Sequence, residues 1–249
     1  MWVPLAAGAV TLVFTTVLTI AGVGAAFILI PVFLALGVEV HTAMATALLL
    51  NAVAMSVASV TFFRNRLIVW NLAIPILVVA SALSPLGAWV SHLLDRSLLL
   101  WMFVGFLLFA AVMMLAYTPR PRERTTGLRT AAALGAGVGG LAGFLGGLLG
   151  VGGGNIVVPA LVALGIEPKK ASATTSFIVI FSSLTGFLGH VSLAGMDAAL
   201  LGFTVAGSAC GAAAGAWLMT EKLKARQVKI TIGIVLLAIA AKMAWSLVR

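Results

Sequence analysis

The chain has 249 residues, of which 62% are hydrophobic and only 8% are charged. A soluble domain of average composition carries about 25% charged residues, so this composition excludes an ordinary soluble enzyme or binding domain. The net charge of +9 accompanies long apolar runs, and orientation in a membrane explains it better than nucleic-acid binding does.

Apolar runs long enough to cross a hydrocarbon core of about 30 Å recur along the whole chain. Two longer apolar stretches, 3–38 and 128–166, open the two halves of the chain. The first lacks the basic start of a signal peptide and its pattern returns 128 residues later, so it is expected to belong to the fold. The expected fold is therefore an all-α polytopic membrane protein with about eight transmembrane segments. The six shorter runs cover 43–63, 68–91, 97–118, 171–189, 198–219 and 227–248.

The chain contains an internal repeat. Residues 22–39 read GVGAAFILIPVFLALGVE, and residues 150–167 read GVGGGNIVVPALVALGIE, with nine of eighteen positions identical at an offset of 128. A period this long predicts two copies of one structural unit. The expected organisation is a first repeat at 1–118, a basic linker at 119–127 and a second repeat at 128–249.

Each opening stretch has a glycine cluster that divides it into two pieces, and its path can be inferred from the charges. Lys and Arg in short loops favour the cytoplasm. If both stretches are hairpins, twelve Lys and Arg residues lie inside and three lie outside; if each crosses once, the split is eight to seven. The hairpins leave three full crossings per half, and they predict two inverted repeats with a cytoplasmic linker and both termini outside.

The shorter pieces, roughly 25–37 and 153–165, are predicted half-helices that begin inside the membrane. Their first N–H groups and positive dipole ends favour an anion, and glycine lets a ligand approach the backbone closely. Pro31 and Pro159 occupy matching positions in the two half-helices. The glycines at 135, 139, 143 and 147, by contrast, are expected to serve helix packing.

The helix after each break supplies polar side chains. In the second copy Ser172, Thr175, Ser176, Val179 and Ser183 share one helical face. The expected partner is a small anion within the lipid bilayer, and the oligomeric state stays open. The predicted binding residues are Gly22, Gly24, Ala25, Thr46, Asn51, Gly152, Gly153, Gly154, Asn155, Thr174, Thr175 and Ser176.

The sequence offers no catalytic, metal or cofactor site. No Asp, Glu, Lys or Arg lies near the predicted centre of a span, where such a residue would suggest a proton relay. His41, His92 and His190 fall at span ends, and interfacial roles are favoured over proton transfer. The single cysteine, Cys210, lies on a helix of small residues, where packing is favoured over substrate contact.

The motif Gly-Val-Gly-Gly-Gly-Asn with a proline four residues later, repeated in weaker form in the first half, resembles the sulfite exporter TauE/SafE family of bacterial transporters. The first copy has Ala25, Ala26 and Phe27 where the second has Gly, Gly and Asn. The resemblance covers nearly the whole chain. It implies a permease for sulfite, sulfoacetate or other organosulfonates.

Three other classes were weighed against a carrier. An anion channel is an alternative, because inverted repeats and half-helices also build pores. The membrane subunit of an ATP-driven importer is another, although its ATPase would have to be a separate chain because GxxxxGK[ST] is absent. An intramembrane enzyme is disfavoured, since neither HExxH nor GxSxG occurs.

Overall fold

The structure is a computed structural model, and it describes residues 2–22, 24–35, 38–116, 132–190 and 198–248. These residues form helices and connecting turns, without a strand. The predicted linker at 119–127 lies outside the described residues. The helices are α1 (Trp2–Ala21), α2 (Ala26–Ala35), α3 (Val40–Arg64), α4 (Trp70–Ser91), α5 (Arg96–Ala116), α6 (Ala132–Leu148), α7 (Gly154–Ala163), α8 (Pro168–His190), α9 (Ala198–Trp217) and α10 (Ala225–Val248).

Several of these helices are long and apolar enough to cross a membrane. By length and composition, four spans qualify within the described residues: Val40–Arg64, Trp70–Ser91, Pro168–His190 and Leu200–Lys222. The side chains of Trp70, Trp89, Trp101, Trp217 and Trp245 are exposed near helix ends, as expected for an aromatic belt. The structure is therefore that of an all-α polytopic membrane protein.

The helices repeat with the same offset as the sequence. The half-helix α2 begins at Ala26 and α7 begins at Gly154, 128 residues later. The predicted half-helices at 25–37 and 153–165 thus match the observed bounds to within two residues at each end. Both opening stretches are interrupted, as the glycine clusters predict.

Equivalent helices of the two halves each pack against a helix of the other half. Helix α1 lies parallel to α9, and a Cβ added at Gly215 would overlap the carbonyl oxygen of Thr16. Helix α6 lies parallel to α4 in the same way, and a Cβ added at Gly87 would overlap the carbonyl oxygen of Phe144. These two contacts are related by the 128-residue offset at both ends, so the halves are arranged about a pseudo-two-fold relationship.

The predicted packing role of the glycines in α6 is confirmed. A side chain at Gly135, Gly139, Gly143 or Gly147 would meet the backbone of α4. Small residues at four-residue spacing let two helix backbones approach closely, which strengthens dispersion contacts in lipid.

The central pair of helices, α3 and α8, packs antiparallel. Leu48 contacts Gly186, and Asn51 contacts Ser183 one turn further along α3 and one turn back along α8. Both helices are deeply buried, so they form the centre of the bundle, beside which the two glycine breaks lie.

Candidate functional site

The second break is a glycine turn between α6 and α7. Gly150, Gly152 and Gly153 have φ angles of 68°, 73° and 75°, a left-handed region that other residues adopt at a cost. The carbonyl oxygen of Gly146 accepts from the amides of Val151 and Gly152 at 2.8 and 3.2 Å. A Cβ at Gly153 would also overlap the carbonyl oxygen of Ala142, so glycine is needed here for both conformation and space.

The first break, between α1 and α2, has the same left-handed glycine conformation. Gly22 and Gly24 have φ angles of 71° and 78°. Gly22 lies against Ser172 of α8, and a Cβ at Gly24 would overlap Oδ1 of Asn51 in α3. The backbone at the break is therefore covered by polar side chains from the central helices, as a helix interruption in lipid requires.

Asn51 joins the two breaks. It lies against Gly24 of the first break, and its Nδ2 would be 2.9 Å from a Cβ at Gly152 of the second. The same Nδ2 donates to Oγ of Ser183 at 3.0 Å. The Oδ1 atom is buried and has no hydrogen-bond partner. One asparagine at the centre of the bundle thus contacts both halves of the repeat.

Two further buried polar residues, one beside the second break and one in α8, have no hydrogen-bond partners. Asn155, in the first turn of α7, is fully buried, and neither its Oδ1 nor its Nδ2 makes a hydrogen bond. Thr175 of α8 is also fully buried, and its Oγ1 has no partner. An unsatisfied buried polar group costs about 1–3 kcal/mol, so such groups point to a ligand.

The N-terminus of α7 adds backbone donors. Its N-cap is Gly153, and no side chain caps the helix. The first N–H groups of a helix have no intrahelical acceptor, and the positive end of the dipole favours an anion. Together with the amides of Asn51 and Asn155, these donors can bind an anion through neutral hydrogen-bond donors alone.

The other predicted residues take different positions. Ala25 is buried at the first break, and Gly154 opens α7. Thr46 donates from Oγ1 to the carbonyl oxygen of Thr42 at 2.8 Å, while Thr174 accepts from the amide of Val69, before α4, at 3.0 Å. Ser176 donates to its own helix, at the carbonyl oxygen of Ser172. The hydroxyls of these three residues therefore stabilise helices in this structure.

Ser84 and Ser182 were missed by the sequence reading. Ser182 donates from Oγ to the carbonyl oxygen of Gly152 at 2.9 Å and so supports the second break. Ser84 of α4 donates to the carbonyl oxygen of Ser182 at 2.8 Å. Both lie in runs of small residues that resemble packing surfaces, so only their tertiary contacts reveal the role.

Cys210 lies at the surface, whereas the three histidines lie close together. The thiol of Cys210 is exposed on α9, away from the buried polar groups at the breaks. The three histidines lie at helix ends as expected, but they come together, and His190 is only 3% exposed. The prediction of interfacial roles for the three histidines stays a prediction, and their clustering is an addition that the sequence did not indicate. No group of histidine, cysteine or acidic side chains among the described residues could hold a metal ion.

A polytopic helical fold with two interrupted helices meeting at buried polar groups is common among membrane transporters. The family model described as "Sulfite exporter TauE/SafE" matches residues 7–243. The chain therefore belongs to the sulfite exporter TauE/SafE family, and it is a transporter and not an enzyme.

Individual relatives agree with this assignment. The chain is 27% identical over 205 residues to "Probable membrane transporter protein YunE" of Bacillus subtilis (strain 168), covering 72% of this chain and 75% of that protein. It is 45% identical over 69 residues to "Sulfite exporter TauE/SafE family protein 1" of Arabidopsis thaliana, covering 28% of this chain but 14% of the plant protein. No solved structure matches the chain.

Proposed function

We propose that this protein is a secondary transporter that moves small sulfur-containing oxyanions, such as sulfite or short organosulfonates, across a bacterial inner membrane. The carrying observation is the N-terminus of α7, which no side chain caps and where the fully buried Asn155 keeps an Nδ2 donor without a partner. The names of the family and of the plant relatives supply the substrate class. The anion is held by the N-terminal ends of α2 and α7, with the predicted residues around them.

The transport mechanism is alternating access between two inverted repeats, 1–118 and 128–249. Helices α3 and α8 occupy equivalent places in the repeat, and both are long enough to span. Their antiparallel packing, from Leu48 against Gly186 to Asn51 against Ser183, supports crossing in opposite directions. Inverted repeats related in this way can exchange conformations and so open the site to either side.

The orientation follows from charge. Arg64 and Arg66 lie at the end of α3 that is opposite His41, and Lys169 and Lys170 lie at the end of α8 opposite His190. The basic ends of both helices therefore face the cytoplasm, with the linker at 119–127, and both termini lie outside.

A thermal-shift screen of the purified protein tests the substrate. The panel contains sulfite, sulfate, thiosulfate, sulfoacetate, taurine and simple carboxylates. A ligand that binds only the folded state adds about 2.7 kcal/mol at a hundredfold excess over its Kd. Stabilisation by carboxylates and by none of the sulfur oxyanions would refute the substrate class.

A flux assay in liposomes tests the mechanism. A carrier shows saturable uptake that is stimulated by substrate inside the vesicle, because the loaded site returns faster than the empty one. Unsaturable flux without this stimulation would indicate a channel, and flux that requires a co-purified ATPase would indicate an importer subunit.

A further inference from the structure

All three histidines of the chain form one cluster at the end of the bundle opposite the basic residues. The rings of His41 and His92 stack face to face, with centroids 4.1 Å apart and planes inclined by 10°. The His190 ring lies 6.2 Å from His41 and 5.8 Å from His92. They come from the start of α3, the turn after α4 and the end of α8, positions 51 and 98 residues apart in sequence.

The hydrogen bonds determine which nitrogens carry protons. His190 Nε2 lies 2.9 Å from the carbonyl oxygen of Gly147, which can only accept, so Nε2 carries the hydrogen. His41 Nδ1 lies 3.0 Å from a carboxylate oxygen of Glu39 and donates in the same way. The remaining nitrogens, His190 Nδ1 and His41 Nε2, are lone-pair acceptors in the neutral rings. Both are buried and without a partner.

Burial and repulsion from His41 lower the pKa of His92, and the positive N-terminal end of α3 adjoins His41, but two features of the surroundings favour a positive charge. The cluster lies at the carbonyl ends of α4, α6 and α8, where helix dipoles are negative. Burial alone would raise the pKa of Glu39, but hydrogen bonds from the backbone of His41 and Thr42 and from the His41 ring lower it to about 2. Glu39 is therefore a fixed negative charge beside the rings.

Among the described residues, few other ionisable groups lie on the helices that meet at the cluster. No titratable side chain occurs in α6 or between Trp70 and Ser91 of α4, and the Lys and Arg residues of α3 and α8 lie at their opposite ends. Asp95 follows His92 in the chain and is exposed. The rings of His41 and His92 stack, and no group of histidine, cysteine or acidic side chains among the described residues could hold a metal ion, so the cluster suits a proton.

We propose that this histidine cluster is a proton-binding site, centred on His190 Nδ1 and His41 Nε2, and that its proton increases the affinity of the transported anion. The inference rests on the proposed function. The hydrogen bond between His190 and the carbonyl oxygen of Gly147 connects the histidine cluster to the anion site, because Gly147 lies three residues before the first glycine of the second break. A proton on the imidazole strengthens this hydrogen bond and attracts the anion, and the anion in turn favours the proton.

The repeat shows that the site belongs to one face only. The positions equivalent to His41 and His92 are Lys169 and Thr220, and Lys169 Nζ donates to the carbonyl oxygen of Thr220 at 3.0 Å. The position equivalent to His190 is Phe62, which is fully buried. At the basic end of the bundle the two equivalent positions are thus also in contact, but no imidazole is present. The proposed proton binding is therefore confined to the face that carries His41.

Histidine-labelled protein, with no histidine tag, gives a direct readout, since every imidazole signal then comes from the cluster. Ring NMR shifts are followed from about pH 7.5 to about pH 4.5 with and without ethanesulfonate, which stays singly charged over this range. We expect at least one ring to titrate and its midpoint to rise when ethanesulfonate is added. Absence of any titration would overturn the proton site.

Binding of ethanesulfonate is then measured at about pH 5.5 and about pH 7.5. We expect about fivefold tighter binding at the lower pH in the native protein and no difference in His190→Gln or His41→Gln. Glu39→Gln, which keeps an oxygen to cap α3, should move the increase in ethanesulfonate affinity to lower pH. Glu167→Gln, at the equivalent position on the other face, is the control and should behave as native.

The outcomes separate the two proposals. The coupling between proton and anion would be refuted if binding were equally tight at both pH values, or if the histidine variants kept the full pH dependence. Neither result would contradict the proposed transport function. Failure of the native protein to bind ethanesulfonate or any other sulfur oxyanion at either pH would refute the proposed function and the link with it.

Discussion

Asn51 donates to Ser183 across the interface between the two halves of the chain, with Nδ2 and Oγ 3.0 Å apart. The bond joins the two central helices at the level of both glycine breaks, because Asn51 also lies against Gly24 and Gly152. In the proposed alternating-access mechanism, movement of one repeat relative to the other would change this contact.

Replacing Asn51 by Ala should weaken sulfonate binding by at least tenfold. The change removes the Nδ2 donor that lies beside the second break, together with its bond to Ser183. About 1.4 kcal/mol of lost interaction accounts for a tenfold change. Thermal shift against ethanesulfonate provides the measurement. Asn65→Ala is the matched control on the same helix, since Asn65 is exposed and donates only to Thr61.

Replacing Asn155 by Leu should stabilise the ligand-free protein and abolish binding. The amide of Asn155 is fully buried with neither polar atom bonded, so an apolar side chain of similar volume removes a desolvation cost of about 1–3 kcal/mol. A higher Tm without ligand and no shift with ligand is the expected pattern. A lower Tm with unchanged binding would show that Asn155 is structural.

Replacing Gly152 by Ala should destabilise the protein by about 1 kcal/mol or more and impair binding. Its φ of 73° is unfavourable for alanine, and the new Cβ would overlap Oγ of Ser183. Gly105→Ala is the control, since its Cβ would have no neighbour within 4 Å in a helix where alanine is preferred. Equal Tm values for the two variants would contradict the role assigned to the break.

Equivalent positions in the two repeats should be labelled from opposite sides of the membrane. Val38→Cys and Ile166→Cys are introduced singly after Cys210→Ala removes the exposed native thiol. With an impermeant maleimide, position 38 should react from outside and position 166 from the cytoplasm. Labelling of both positions from the same side would refute the inverted arrangement.

Stability should decrease as the pH falls. Burial lowers the pKa of His92, repulsion from His41 lowers it further, and Glu39 partly opposes both. The unfolded chain therefore takes up a proton near pH 6.5 that folded His92 resists, so its contribution is lost below about pH 6.5. Glu39, with a folded pKa of about 2, contributes stability above its ordinary pKa of 4.5, and this stability is lost as the pH falls toward 2.

The Tm in detergent, measured between about pH 7.5 and about pH 4.5, checks this expectation. His92→Gln should flatten the upper part of the curve, because its side chain no longer titrates. A native Tm that rises on acidification without ligand would contradict the pKa direction of His92.

Sequence alone determined much of this fold. The repeat, the helix breaks at both glycine clusters and the packing role of Gly135 to Gly147 follow from local rules, because glycine and proline interrupt helices and small residues permit close contact. Asn51 and Asn155 were identified as site residues for the same reason: a polar residue amid apolar ones in a membrane helix has few explanations.

Only the tertiary structure decided which polar groups remain unpaired. Thr46, Thr174 and Thr175 look alike in sequence, yet Thr46 bonds within its helix, Thr174 bonds across to Val69, and Thr175 bonds to nothing. The histidine cluster was likewise invisible, because stacking of His41 on His92 depends on where the ends of distant helices meet. Sequence spacing determines which face of a helix a side chain occupies, but the partner on that face is chosen by packing between helices.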